Sequence, residues 1–420
     1  MPAANIQVNN GVTVNKHSLT GWMLVAVLVV YGVFSMPFPD EYGIPELIIG
    51  VLLILVCMGQ AFTFFVNIGK TENFAWLIPF VWMLVVPSFI GIVRWDIGDI
   101  IRDIVPLFYL FLPVILIPWA KKINDSDFVR KFYVSAMVIA GSGFALKYFT
   151  TQEIGYEDLG SGVFMINLKY YSYDPTVTFT AIFGLLFALM LFQSASKGKY
   201  LAIILYIAVS LLAVGALGGI AQRAPLAILF LCLVTFMFRY ARKSLMLVCI
   251  FIIFLLAIIV YFQDVIFPLY SLLVEKSEAV GVNGKVDEIE LIINILTDSW
   301  FNTLFGLGWG GIYYNTVLSS EIRFSHSVLG FYLLKTGFIG TAVMSLYAIW
   351  LIKRYVRVFA YTWRNDVTQL PLLFAIGSAP IIAMLQPTYK TLSFGLILTL
   401  IPVLYFEMQV NLNKKLSKRK

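Results

Sequence analysis

Two histidines occur in the chain, and His326 is the one placed to do chemistry. It lies in Arg323-Phe324-Ser325-His326-Ser327, at the mouth of a long apolar run, whereas His17 reads as a solvated tail residue. An imidazole titrates near neutrality and so can act as a general base, although a lone histidine at a helix start is more often a cap or an interface residue. Gly337 and Gly340 follow it by eleven and fourteen residues, small side chains that let helices approach closely. Cations edge several other apolar runs: Arg223 in Ala221-Gln222-Arg223-Ala224, Lys276, Lys285 in Gly284-Lys285-Val286-Asp287-Glu288, and Lys390 after Gln386-Pro387-Thr388-Tyr389. A cation at a span end often snorkels to the surface. One within or beside a span usually faces a cavity, so Lys390 is expected to line a cleft and Lys335 either to do the same or to pair with an acid. Glu153, Glu157 and Asp158 read as solvated surface, and Asp174, before Pro175, as a helix N-cap.

The elements that must position these residues follow from composition. Of 420 residues, 60% are hydrophobic and 13% charged, and the mean hydropathy is +0.87. That excludes a water-soluble fold, because one core cannot hide so much apolar surface. Scanning for apolar runs gives twelve spans, at 19–37, 44–66, 74–93, 104–120, 131–149, 174–193, 200–216, 223–238, 244–262, 326–352, 369–386 and 391–410. The three cysteines all sit inside such runs and read as packing residues. With the N-terminus inside, the inner face collects 20 of the 30 basic residues and five of the 23 acids. That face is therefore +15 and the other −8, as the positive-inside rule requires. The overall +7 thus reports topology and gives no support to nucleic-acid binding. The expected fold is all-α: a polytopic membrane protein of about twelve helices with both termini cytoplasmic.

The expected organisation is an N-terminal tail over 1–18, nine spans over 19–262 with a smaller outer loop at 150–173, a large outer loop at 263–325, three spans over 326–410 and a basic tail over 411–420. The large loop is too long to lack structure of its own. In it, Val286, Ile289, Ile292, Ile293, Leu296 and Trp300 recur at helical spacing while Asp287, Glu288, Glu290, Asn294 and Asp298 fall largely elsewhere. This predicts an amphipathic helix on the membrane surface or capping the bundle. The turn-rich Phe305-Gly306-Leu307-Gly308-Trp309-Gly310-Gly311 follows.

Taken in order, these pieces resemble the bacterial O-antigen ligase and O-antigen polymerase superfamily of integral-membrane, GT-C-like glycan transferases. The resemblance rests on His326 with Gly337 and Gly340, the preceding Phe-Gly-x-Gly turn at Phe305 to Gly308, Arg223 opening a span after a short outer turn, Lys285 at the start of the loop helix, and the turn Tyr173-Asp174-Pro175-Thr176. Two departures stand out: the family's usual His-Asn is His-Ser here, and its usual large-loop Arg is matched by Lys285, a point charge where Arg would grip phosphate bidentately. Lys285, Lys276 or Arg323 is expected to take that role.

The resemblance implies an inverting transfer of glycan from an undecaprenyl-diphosphate donor to an acceptor hydroxyl, on the periplasmic side of the bacterial inner membrane. His326 is then the base, and Arg223, Lys285, Arg323, Lys276 and Lys390 are the candidates for binding diphosphate and substrate. No group of carboxylates is spaced for a divalent ion, so metal independence and no cofactor are expected, with the cations supplying that charge. The leading expectation is a polymerase extending a lipid-linked acceptor glycan, partnered by a chain-length regulator. Its rival is a ligase that moves the glycan onto lipid A-core. A transporter or flippase would instead place ionisable groups at the bilayer midplane and show internal repeats, and neither is evident.

Overall fold

The computed structural model describes residues 16–38, 43–66, 74–122, 128–151, 170–193, 199–220, 222–241, 249, 283–315 and 320–417. Among the described residues, nine α-helices have ranges before the large loop: α1 (Lys16–Phe34), α2 (Ile44–Val66), α3 (Phe74–Arg94), α4 (Ile97–Ile115), α5 (Ile117–Lys122), α6 (Val134–Thr151), α7 (Pro175–Gln193), α8 (Tyr200–Gly219) and α9 (Arg223–Ala241). The loop itself holds α10 (Asn283–Thr297), α11 (Trp300–Phe305) and the strands β1 (Tyr313–Asn315) and β2 (Ser320–Ile322). The chain ends in α12 (Val328–Asn365), α13 (Leu370–Ala383) and α14 (Leu392–Ser417). A helix covers each expected span except that at 244–262, which apart from residue 249 lies outside the described residues. Among the described residues, six helices are long and apolar enough to cross a membrane: Ile97–Lys121, Val129–Thr151, Pro175–Phe192, Tyr200–Gly219, Val328–Asn365 and Leu392–Ser417. On α2, Ile44, Leu47, Val51, Ile54 and Met58 recur three or four residues apart and are all exposed, as are Leu201, Ile204 and Leu205 on α8. Faces this apolar call for lipid as their solvent. The protein is a helical membrane protein.

α14 lies innermost, its residues from Leu392 to Tyr405 all buried, with α4, α7 and α12 among the helices packed on it. In α4, Pro113 has no N–H to give to the carbonyl four residues back, and Gly395 of α14 packs on that freed Tyr109 oxygen. A Cβ at 395 would stand 1.9 Å from it.

Three expectations change. α4 begins at Ile97, seven residues before the apolar run at 104, because Asp99 and Asp103 find cationic partners and no longer oppose burial. α12 continues to Asn365 well past 352, and Arg354 is buried with its guanidinium 3.8 Å over Trp350, so this cation is packing inside a helix. The large loop also contains an antiparallel hairpin, Tyr313 opposite Ile322 and Asn315 opposite Ser320, which periodicity did not foretell.

Helix ends sort into two groups. At one, Arg239 donates to the Trp363 carbonyl at 3.1 Å, Lys121 lies over Phe406 and Lys415 over Tyr361. At the other, Asp174 caps α7 as expected, accepting from the Thr176 N–H at 2.9 Å. Its other oxygen accepts from Tyr31 of α1 at 2.6 Å and Ser393 of α14 at 2.8 Å. Phe236, late in α9, packs on Phe374, early in α13, so these helices run antiparallel. Arg223 therefore shares an end with the turn Pro387–Lys390 that follows α13.

Candidate functional site

The glycine-rich turn and the segment around His326 are held by two helix breaks. In α3, Pro87 leaves the Met83 carbonyl free, and the indole N–H of Trp309 donates to it at 2.9 Å, while the Trp309 N–H donates to the Pro87 carbonyl at 3.0 Å. In α12 the ladder breaks at Gly337, which has a φ of 61°. There the Leu307 N–H reaches the Leu334 carbonyl at 2.9 Å, and the Gly308 N–H reaches the Lys335 carbonyl at 3.0 Å. Gly306 (φ 76°) and Gly337 dock on each other's backbone: a Cβ at either would lie 2.5 Å from main-chain atoms of the opposing segment. The Phe-Gly-x-Gly turn and the glycine eleven residues past His326, far apart in sequence, are thus two halves of one contact.

Beneath this contact sits a buried ion pair. Lys335 Nζ is 2.5 Å from Asp103 Oδ2 and donates to the Gly311 carbonyl at 2.6 Å, and the same carboxylate oxygen accepts from the Gly310 N–H at 2.7 Å. Of the two alternatives for Lys335, pairing with an acid is the one found.

His326 stands immediately before Ser327, the N-cap of α12, whose hydroxyl accepts from the Gly330 N–H at 3.0 Å. Its ring Nδ1 lies 3.3 and 3.4 Å from the two carboxylate oxygens of Glu288, and its main-chain N–H lies 3.3 Å from both. Tyr313 donates to Glu288 Oε1 at 2.8 Å. Burial raises the Glu288 carboxyl, but the hydrogen bonds and charge of His326 and the bond from Tyr313 outweigh it, leaving the group below its ordinary value. The Glu288 side chain is 4% exposed and that of His326 39%, so the acid is enclosed while the imidazole is open to solvent. Tyr389 donates to the Ser325 carbonyl at 2.8 Å, tying the turn before α14 to the histidine segment. Lys390 Nζ lies 3.9 Å over Phe324, whose ring meets that of His326 edge-on at 5.8 Å. Burial pulls the Lys390 ammonium down to about 7 against the charge of Asp103, with Lys335 and Arg102 pushing the same way as burial.

His326, Arg323 and Lys390 therefore come together. Arg323, however, bonds Asp99 on α4, which occupies a guanidinium that a diphosphate would need. Arg223 is half-buried at the start of α9 with no hydrogen bond or ion pair among the described residues, and no described contact joins it to the histidine group. Lys285 falls in the first turn of α10, and its side chain lies outside the described residues, as does Lys276 altogether.

The orientation of α10 corrects the expected apolar face. Its buried stripe is Glu288, Ile292 and Leu296, the last two packing with Leu307, Tyr313, Leu333 and Leu334, whereas Ile293 and Trp300 are exposed. The helix caps the bundle. Glu288 had read as part of the polar face, and its spacing of four and eight from Ile292 and Leu296 was the signal for its inward position. Tyr313, Tyr389 and Asp103 carry no such local signal, since each meets a partner remote in sequence. Among the described residues, no three His, Cys, Asp or Glu side chains group as ligands for a metal ion. No protein-family model matches the chain, and no curated protein matches it.

Proposed function

We propose that the protein is a glycosyltransferase of the bacterial inner membrane that polymerises lipid-linked glycans on the periplasmic side, independently of metal. The observation that carries this reading is a solvent-open imidazole backed by a buried carboxylate, with a half-buried lysine beyond the adjoining Phe324. In this reading the acceptor hydroxyl gives its proton to His326 Nε2 as its oxygen attacks the anomeric carbon. The carbon–oxygen bond to the undecaprenyl diphosphate breaks on the opposite face, and its electron pair leaves with the diphosphate. Charge grows on that leaving group, where Lys390, and Arg223 and Lys285 from their helix starts, are the cations to meet it. Twelve spans with both ends cytoplasmic belong to the same proposal, supported by the meeting of Arg239, Lys121 and Lys415 at one end of the bundle and of Asp174 and its partners at the other.

The test is His326→Ala and Arg223→Ala, each expressed at the normal level in the native host. Surface-polysaccharide chains should collapse to single repeats, and unchanged chain length would overturn the assignment. Deleting the gene separates the rival transferase, because a core capped by one repeat marks a polymerase and a wholly uncapped core a ligase. In vitro transfer should survive EDTA, and a strict divalent-ion requirement would remove metal independence.

A further inference from the structure

We infer that Glu288 is a positioning residue for His326, holding the imidazole with its proton on Nδ1 so that Nε2 is the atom that takes the acceptor's proton. This rests on the reading of His326 as the base. An enclosed carboxylate among Ile292, Leu296 and Tyr313 is costly unless donors satisfy it. Those donors are the His326 main-chain N–H, the His326 ring and the Tyr313 hydroxyl. An ionised carboxylate only accepts, so the ring nitrogen facing it carries a hydrogen, and in the neutral ring the lone pair then lies on Nε2. Because one carboxylate grips both the backbone and the ring of the same residue, it fixes position and rotation together. When Nε2 takes up a proton, the same carboxylate sits beside the new imidazolium charge.

The other charged groups around the ring are otherwise engaged. On α4, Asp99 is bonded to Arg323 and Asp103 to Lys335. Lys390, from the turn before α14, lies over Phe324, and Tyr389 is spent on the Ser325 carbonyl. Among the described residues Glu288 is the acid on the histidine ring. It reaches the site from 38 residues upstream, which makes the loop helix α10 part of the catalytic apparatus.

The chain's two histidines make this measurable. In the full-length His17→Asn protein in detergent, 15N-histidine NMR reports His326 alone. The Nδ1–H tautomer is expected, and an Nε2–H tautomer there would overturn the proposal without any change at Glu288. Glu288→Gln can turn an amide N–H toward Nδ1. It should shift the ring to Nε2–H and cut kcat by about 100-fold or more, with KM little changed. Glu288→Asp should restore the tautomer and much of kcat, which a merely structural role would not require. A folded Glu288→Gln protein with unchanged tautomer and kcat removes the role of Glu288 even if His326→Ala is inactive. The expected spectra with an active His326→Ala would leave the grip of Glu288 on the ring and remove the base.

Discussion

Replacing Lys335 with methionine strands Asp103 in the protein interior. The lysine ammonium is 2.5 Å from the carboxylate, and both side chains are almost wholly enclosed. At an effective dielectric of about 20, two charges so close attract by about 6–7 kcal/mol, much of it offset by the cost of taking both from water. Removing one partner keeps that cost and forfeits the attraction, a loss of about 3–5 kcal/mol. The Gly310 N–H remains as a donor to Asp103, so the lower half of this range applies. With an unfolding entropy of about 2.1 cal/mol/K per residue over 420 residues, the apparent Tm should fall by about 3–5 °C. Tryptophan fluorescence in detergent at one fixed scan rate reads this, since large membrane proteins unfold irreversibly. Asp103→Asn should cost a similar amount, and the double variant should be at least as stable as either single one, because no unpaired charge remains. Single effects below about 1 kcal/mol that simply add in the double variant would refute the argument.

Gly306→Ala and Gly337→Ala should each destabilise by about 2 kcal/mol or more, since a Cβ at either position meets backbone at 2.5 Å in a left-handed conformation. Gly50→Ala, with open space around it on α2, should be neutral or stabilising by up to about 1 kcal/mol, and thermal unfolding of the three variants ranks them. Lys390 holds its proton below pH about 7 and loses it above. Under the proposed transfer reaction, donor KM should therefore rise as pH climbs through that value, and Lys390→Arg should flatten the profile. A donor KM independent of pH between 6 and 8 in the parent protein would remove Lys390 from the proposed site.

Helix positions were legible in the sequence wherever hydropathy alone decides them, as at α9, which opens on Arg223 as expected. They were misjudged where charges are satisfied by partners far along the chain: the start of α4 depends on Arg323 and Lys335, more than 200 residues later. The end of α12 escaped for the opposite reason, since its polar continuation packs through Arg354 and is not stopped by a helix breaker. The two glycine motifs could be read locally, because the left-handed backbone at Gly306, Gly308 and Gly337 restricts residue type at those positions. Glu288 could not be read from polarity, since an acid on a helix looks solvated until the residue that fills its hydrogen bonds is known.

The bond between Tyr389 and Ser325 also sets a time for the site. Glu288, Tyr313 and His326 leave the ribosome close together, but Tyr389 follows His326 by 63 residues. At about 5–20 residues per second that interval is about 3–13 s. A nascent chain passes through that interval before Tyr389 is made to hold the Ser325 carbonyl, and before the turn between α13 and α14 can close beside the histidine segment.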